Sequence, residues 1–285
     1  LPRASVSASR VDEILTSKTM IYDTENPKKI TDKKEGSIEF DHVSFHYPNA
    51  EEDVLHDISF VAEAGKTTAF IGSTGSGKST LVNLIPRFYD VTDGAIRING
   101  VDIREVSQHD LREKLGYVSQ KGILFSGTIA SNILYGNTEG TEEEMREAAR
   151  IAQAEEFESP ISQGGANVSG GQKQRLSIAR AVAKNPNVYI FDDSFSALDY
   201  KTDVTLRKAL QEHTSNSVVL IVAQRISTIL HAEQIIVLDE GRVAGKGTHK
   251  ELLQNCEVYR QIAMSQLSEE ELRRDMEGKE ENTYE

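Results

Sequence analysis

The sequence predicts a three-layer α/β domain built on a mainly parallel sheet. Three observations point to it. Short apolar runs recur along the chain: TTAFIG at 67–72, NVYIFD at 187–192, SVVLIVA at 217–223 and AEQIIVLD at 232–239. Stretches of helical spacing separate them. One run, Val188 to Phe191, ends abruptly in the adjacent carboxylates Asp192 and Asp193, as a buried strand does when it delivers charge to a site at its C-terminal edge. The chain has 285 residues, enough for one large domain or two small ones with a substantial core. A composition of 38% hydrophobic and 27% charged residues fits a soluble globular protein. No run of about 18 apolar residues predicts a membrane span, and the first residues do not read as a secretory signal. A single cysteine, Cys256, excludes an intrachain disulfide framework, fits the cytosol and reads as a small packed or surface thiol. The net charge of −13 argues against broad binding to nucleic acid.

Element by element, LPRASVSASRVDEILTSK places Val6, Val11, Ile14 and Leu15 at helical spacing, as at the end of a helix arriving from elsewhere. A polar linker follows, and the globular part begins near Ser37. SIEFDHVSFHY and HDISFVAEAG are β-rich runs bounded by turn residues, expected as antiparallel strands. After TTAFIG come a glycine-rich loop and a helix through Leu84. The segment from about Thr128 to Glu158 is expected to be helical, with Met145, Ala148, Ala149, Ile151 and Ala152 on one side. A further helix starts near Gly170, and VTLRKALQEH is helical. AEQIIVLD and GRVAGKG suggest a strand and hairpin. Thr248 followed by Glu251 is a capping box opening a last helix through about Ala263. From Ser268 to Glu285, eight acids face three bases; this tail reads as a solvated, partly disordered extension or a fraying helix.

GSTGSGKS, Gly72 to Ser79, matches G-x-x-x-x-G-K-[ST] after a strand and at the start of a helix. Glycines let the backbone N–H groups curl toward phosphate oxygens, and the helix N-terminus favours negative charge. Lys78 would neutralise the β/γ oxygens and Ser79 would offer its hydroxyl to Mg²⁺. Asp192 matches the Walker B carboxylate that holds the hydrated ion. Binding of a nucleoside triphosphate follows, but the loop alone does not choose among kinases, GTPases, helicases and transport ATPases.

NVSGGQKQRLSIARA narrows the choice. Ser169, Gly170, Gly171 and Gln172 form a serine–glycine turn opening a second helix. With one helix end already at the γ-phosphate, a second suits two domains packed head to tail. Here the sequence resembles the ATP-binding-cassette family, from Ser37 to about Gln266. The resemblance implies a RecA-like core with a mainly parallel sheet, an antiparallel β subdomain and an α-helical subdomain at about 121–183. It implies ATP and Mg²⁺ as ligands, with Gly72, Ser73, Thr74, Gly75, Ser76, Gly77, Lys78, Ser79 and Thr80 around the nucleotide. Tyr47 would stack on adenine. Gln120, in YVSQKGILFSGTI, would reach Mg²⁺ and contact a transmembrane partner. Ser196, Ala197, Leu198 and Asp199 match the D-loop that crosses the dimer interface. Residues 1–36 resemble the linker that follows the transmembrane domain of exporter-type members, leaving 37–266 as the cassette and 267–285 as an acidic tail. The expected setting is the cytoplasmic face of the cell membrane, with a transmembrane domain as partner.

Two positions depart from the family pattern. Asp193 stands where members usually carry the glutamate that polarises the attacking water. Gln224, in IVAQRIST, stands where they usually carry a histidine. Glutamine can donate a hydrogen bond but cannot shuttle a proton. The signature is intact apart from Val168 in place of the usual leucine. The sequence therefore resembles the degenerate-site half of a heterodimeric exporter of bacterial multidrug type, with a non-identical half-transporter as partner. Its ATPase activity alone is expected to be weak. A binding-only regulatory cassette and a soluble cassette ATPase not coupled to transport are the alternatives. EEFESPISQGGANVSGG is also shorter by several residues than the corresponding exporter segment.

Overall fold

A computed structural model of the chain describes residues 2–16, 20–31, 36–154, 156 and 158–277. The central sheet has six strands in the order 242–247, 234–239, 67–72, 218–222, 188–192, 115–118. All neighbours are parallel except Arg242–Gly247, which folds back on Gln234–Asp239 as an antiparallel hairpin. Val188–Asp192 and Val218–Val222 are buried at every residue, which is why they read as unbroken apolar runs. Their side chains alternate between the two faces. Tyr189, Phe191, Val219 and Ile221 join one core with the helices; Val188, Ile190, Leu220 and Val222 join another.

That second core is closed by a four-stranded antiparallel sheet in the order 55–63, 37–45, 93–98, 101–102. Ser37–Phe45 pairs antiparallel with Leu55–Glu63, as expected, placing Phe40 opposite Phe60. Leu55, Ile58, Phe60 and Ala62 face inward against the helix Lys78–Leu84 and its following turn. The mixed α/β architecture predicted from the sequence is the one observed.

The segment expected to be helical, from about Thr128 to Glu158, holds two separate helices among its described residues. Thr128 caps Ile129–Leu134, a turn through Asn137–Gly140 intervenes, and a Thr141 capping box opens Glu142–Ile151. Pro160–Ile161 then pairs with Gly127–Thr128. Two caps within one apolar pattern divide it, because each new cap satisfies a fresh set of unpaired N–H groups. The helix opened by Thr248 likewise stops early, at Asn255. Cys256 is extended (φ −122°, ψ 110°) and buried, with its Sγ toward the Ala244 carbonyl, before Glu257–Gln266 resumes. In the acidic tail, Glu269–Glu277 is a helix rather than an extension. Leu272 packs on the helical core, and Asp275 accepts from His249 Nε2 at 3.1 Å. Residues 278–285 of that tail lie outside the described residues. Near the other end, Pro2–Thr16 is a helix whose Val6, Val11, Ile14 and Leu15 are exposed. Among the described residues no helix is long and apolar enough to cross a membrane.

Candidate nucleotide site

The glycine-rich loop leaves the end of strand Thr67–Gly72 and closes at the start of helix Lys78–Leu84. Two of its glycines are sterically required. Gly77 has φ +99°, and a Cβ there would lie 2.6 Å from Leu55 Cδ2. A Cβ at Gly72 would lie 2.1 Å from the Leu238 carbonyl oxygen. The loop curls around Lys78, whose Nζ donates to the carbonyls of Gly72 (2.8 Å) and Ser73 (2.7 Å) and to Ser76 Oγ (3.3 Å). Burial lowers the Lys78 ammonium below the usual lysine range, while Asp193 and Asp192 pull it back up. Ser73, Thr74 and Gly75 form the exposed rim, and Ser76 and Gly77 are buried beneath it. Outside the loop, Tyr47 OH lies 2.9 Å from Thr80 Oγ1, and the Tyr47 ring sits edge-on to Phe45 and Tyr89.

Strand Val188–Asp192 brings its carboxylates to the same edge. Ser79 Oγ donates to Asp192 Oδ1 at 3.2 Å, and Tyr117 OH donates to Asp192 Oδ2 at 3.3 Å and Asn83 Oδ1 at 2.9 Å. Burial, the largest cause, raises the Asp192 carboxyl above its ordinary range despite those two donors. Burial also raises the Tyr117 phenol, with the Asp192 charge adding to it, so Tyr117 remains a donor. A hydroxyl beside one buried carboxylate suits Mg²⁺, which takes few protein ligands and completes its shell with phosphate and water. Ser79 and Asp192 therefore fit that ion, and no cluster of three or more His, Cys, Asp or Glu side chains able to hold a metal occurs among the described residues.

Asp193 is built differently. Its backbone is left-handed (φ 49°), and its N–H donates to the Val222 carbonyl at 3.0 Å. One carboxylate oxygen, Oδ2, accepts from two amides: Gln224 Nε2 at 2.8 Å and Gln120 Nε2 at 3.1 Å. Asp193 as a whole is 8% exposed. Ser196 Oγ donates to the Asp193 carbonyl at 2.9 Å, which ties the D-loop stretch to this residue. Leu198 is buried, Ala197 is exposed, and Asp199 caps the helix Tyr200–His213 by accepting from Thr202 N.

Thus Lys78, Ser79, Gln120, Asp192, Asp193 and Gln224 converge. Ser169–Gln172 do not join them. Ser169 and Gln172 close a capping box on each other at the start of Gly170–Lys184. A Cβ at Gly170 would meet nothing within 4 Å, so this helix start is open, while Gly171 lies against the Ala197 carbonyl. The same helix reaches the convergent site indirectly, since Gln174 Nε2 donates to the Gln120 carbonyl at 2.6 Å.

Four participants escaped sequence reasoning: Asn83, Tyr117, Gln174 and Gln266, whose side-chain amide bonds the backbone of Gln224 and Ile226. Tyr117 carried a usable signal, a polar-tipped aromatic near the end of a buried strand that must find a partner. The other three are amides whose partners lie far away in sequence, and no local pattern marks them.

A parallel sheet with a phosphate loop, a strand-end carboxylate and a loop lysine defines a P-loop nucleoside-triphosphate-binding protein. A family model described as "ABC transporter" matches residues 55–196. The chain is 46% identical over 275 residues to an uncharacterized ABC transporter ATP-binding protein of Mycobacterium tuberculosis, covering 93% of this chain and 47% of the relative. It is 45% identical over 237 residues to a putative multidrug export ATP-binding/permease protein of Staphylococcus aureus, covering 80% of this chain and 41% of the relative. Among solved structures, a bacterial Atm1-family ABC exporter with ATP bound superposes with a TM-score of 0.87 at 33% identity, covering 94% of this chain and 48% of that one. The chain belongs to the ABC transporter ATP-binding family. It spans about half the length of the relatives it matches.

Proposed function

We propose that this chain is the ATP-binding and ATP-hydrolysing cassette of an ABC exporter of multidrug type, and that its own P-loop site holds ATP better than it cleaves it. In this reading Tyr47 and residues Gly72–Thr80 bind the nucleotide, and Ser79, Gln120 and Asp192 hold Mg²⁺. That ion would offset phosphate charge when bound. Asp193 takes the catalytic position, with Gln224 and Gln120 beside it. Ser169–Gln172 complete the ATP site of a non-identical partner cassette, and Ser196–Asp199 lie at the interface with it.

The observation that carries the reading is the double amide contact on Asp193 Oδ2. Aspartate is one methylene shorter than glutamate, and here two neutral donors hold one of its oxygens. General-base assistance typically contributes about 10²–10⁴-fold, and a misplacement of about 1 Å can forfeit about 10²-fold. Binding through Lys78 and the loop does not depend on that reach. The open, self-capped signature turn, away from this chain's own loop, supports its use by a second chain.

Docking of a transmembrane domain is supported by the surface that follows Gln120. Ile123, Phe125 and Tyr135 are exposed there, and the Arg180 guanidinium lies over both rings at 5.3 and 5.6 Å. Such a domain would hold the cassette at the cytoplasmic face of the membrane.

The test is steady-state ATP hydrolysis by the chain alone and after mixing with a candidate partner cassette carrying glutamate and histidine at the two positions. Weak activity alone and a marked rise on mixing are expected. Robust turnover by the pure chain would overturn the degenerate-site reading. Binding without hydrolysis in both samples would instead support a binding-only cassette, the reading that the two amides on Asp193 favour next.

A further inference from the structure

Helix Glu257–Gln266 ends on a side chain outside every phosphate-handling motif. Gln266 Oε1 accepts from Ile226 N at 2.9 Å, and its Nε2 donates to the Gln224 carbonyl at 2.8 Å. One exposed amide thus brackets the backbone on both sides of Arg225, using its donor and its acceptor together. Helix and loop each have backbone hydrogen bonds of their own. The helix end is closed by Leu267 N on the Ala263 carbonyl. The loop has its own bonds, from Ala223 N to Phe70, from Thr228 N to Arg225 and from Ile229 N to Ile226. What the amide adds is orientation of residue 224, whose side chain reaches Asp193.

We infer that Gln266 is a positioning residue, which fixes the backbone of residue 224 so that the side chain carried there addresses the carboxylate at 193. The inference rests on the reading of Asp193 as the catalytic position with Gln224 beside it. Because the contacts are to backbone atoms, the clamp serves glutamine or histidine at 224 alike. Its seat is firm. Tyr259, two turns earlier on the same face of this helix, is wholly buried, and its OH lies 2.7 Å from His249 Nδ1, whose other ring nitrogen meets Asp275 of the acidic helix. Gln266 therefore sits between a buried anchor and the helix Glu269–Glu277, which begins three residues later.

The test uses Gln266→Ala and Gln266→Leu in the full chain, each also in an Asp193→Glu/Gln224→His background. Single-turnover ATP hydrolysis should fall roughly tenfold, within the range of up to about 10²-fold that a 1 Å misplacement produces. MgATP affinity and Tm should stay unchanged, a split that general loosening would not give. A second readout does not depend on turnover. In a chain with isotope-labelled glutamine, the Gln224 side-chain amide signal, assigned by its loss in Gln224→Ala, should move to the free-amide position when Gln266 is cut. An unmoved Gln224 signal would overturn the inference, as would a fall in rate matched by a fall in nucleotide affinity. Failure of the functional reading would look different: hydrolysis would not rise in the Asp193→Glu/Gln224→His background, while the Gln224 signal would still respond to Gln266.

Discussion

Two glycine-rich turns open helices in this molecule, and they are built to opposite plans. The turn at Gly72–Ser79 encloses a buried ammonium, and two carboxylates, a hydroxyl and a phenol gather beside it. The turn at Ser169–Gln172 encloses nothing; its serine and glutamine satisfy each other and its first glycine faces open space. The first gathers its charged groups from its own chain. The second offers helix N–H groups and a hydroxyl, and the side chains of Ser169 and Gln172 bond within the turn itself.

Breaking the first turn should have the largest effect. Lys78→Met removes the buried ammonium and should weaken MgATP binding by about 10²-fold or more, on the order of the 3–5 kcal/mol lost when one partner of a buried charge pair is removed; equilibrium titration of the full chain reads it. Breaking the second should leave that titration untouched. Ser169→Arg, which fills the open turn with a bulky cation, should instead lower hydrolysis in the mixture with a partner cassette by about 10²-fold, comparable with removing one donor from a transition-state site. A loss of nucleotide binding by the Ser169→Arg chain alone would erase the contrast between the turns.

The smallest effect sharpens the account of the carboxylates. Burial raises the Asp192 carboxyl, so its ionised form weighs against the fold and stability from this group grows as pH falls through the raised value toward the ordinary 3.8. Asp192→Asn should therefore raise Tm at neutral pH by roughly 1–2 °C, the shift that about 1 kcal/mol produces at this size. The gain should shrink as the pH is lowered through that window. The same variant should lose the Mg²⁺ dependence of ATP binding. An unchanged or lower Tm would mean that Ser79 and Tyr117 already compensate the buried charge.

Much of this was legible in the residues themselves. Val188–Asp192 and Val218–Val222 could be read as strands because burial on both faces demands unbroken apolar runs. The phosphate loop could be read because only glycine tolerates the approach at Gly72 and the φ at Gly77. The strands Asp93–Ile98 and Val101–Asp102 left too short and mixed a pattern to stand out. The break at Cys256 was hidden by helix-forming neighbours on both sides. Hardest to see were contacts between distant amides and phenols. Tyr117 meets Asp192 across 75 residues, and Gln266 meets Gln224 across 42. Nothing local to Gln266 distinguishes it from a solvated residue at a helix end, and only the fold brings Gln120 and Gln224 onto the same oxygen of Asp193.

The central claim is that residues 193 and 224 limit cleavage at this chain's own P-loop site while leaving binding intact. Single-turnover hydrolysis of ATP by Asp193→Glu/Gln224→His, set against the unaltered chain at matched nucleotide occupancy, tests it most directly. The account predicts a rise of about 10–10²-fold with MgATP affinity unchanged, less than the product of the two single effects because the residues act as a unit. An unchanged rate in a double variant that still binds ATP would contradict it.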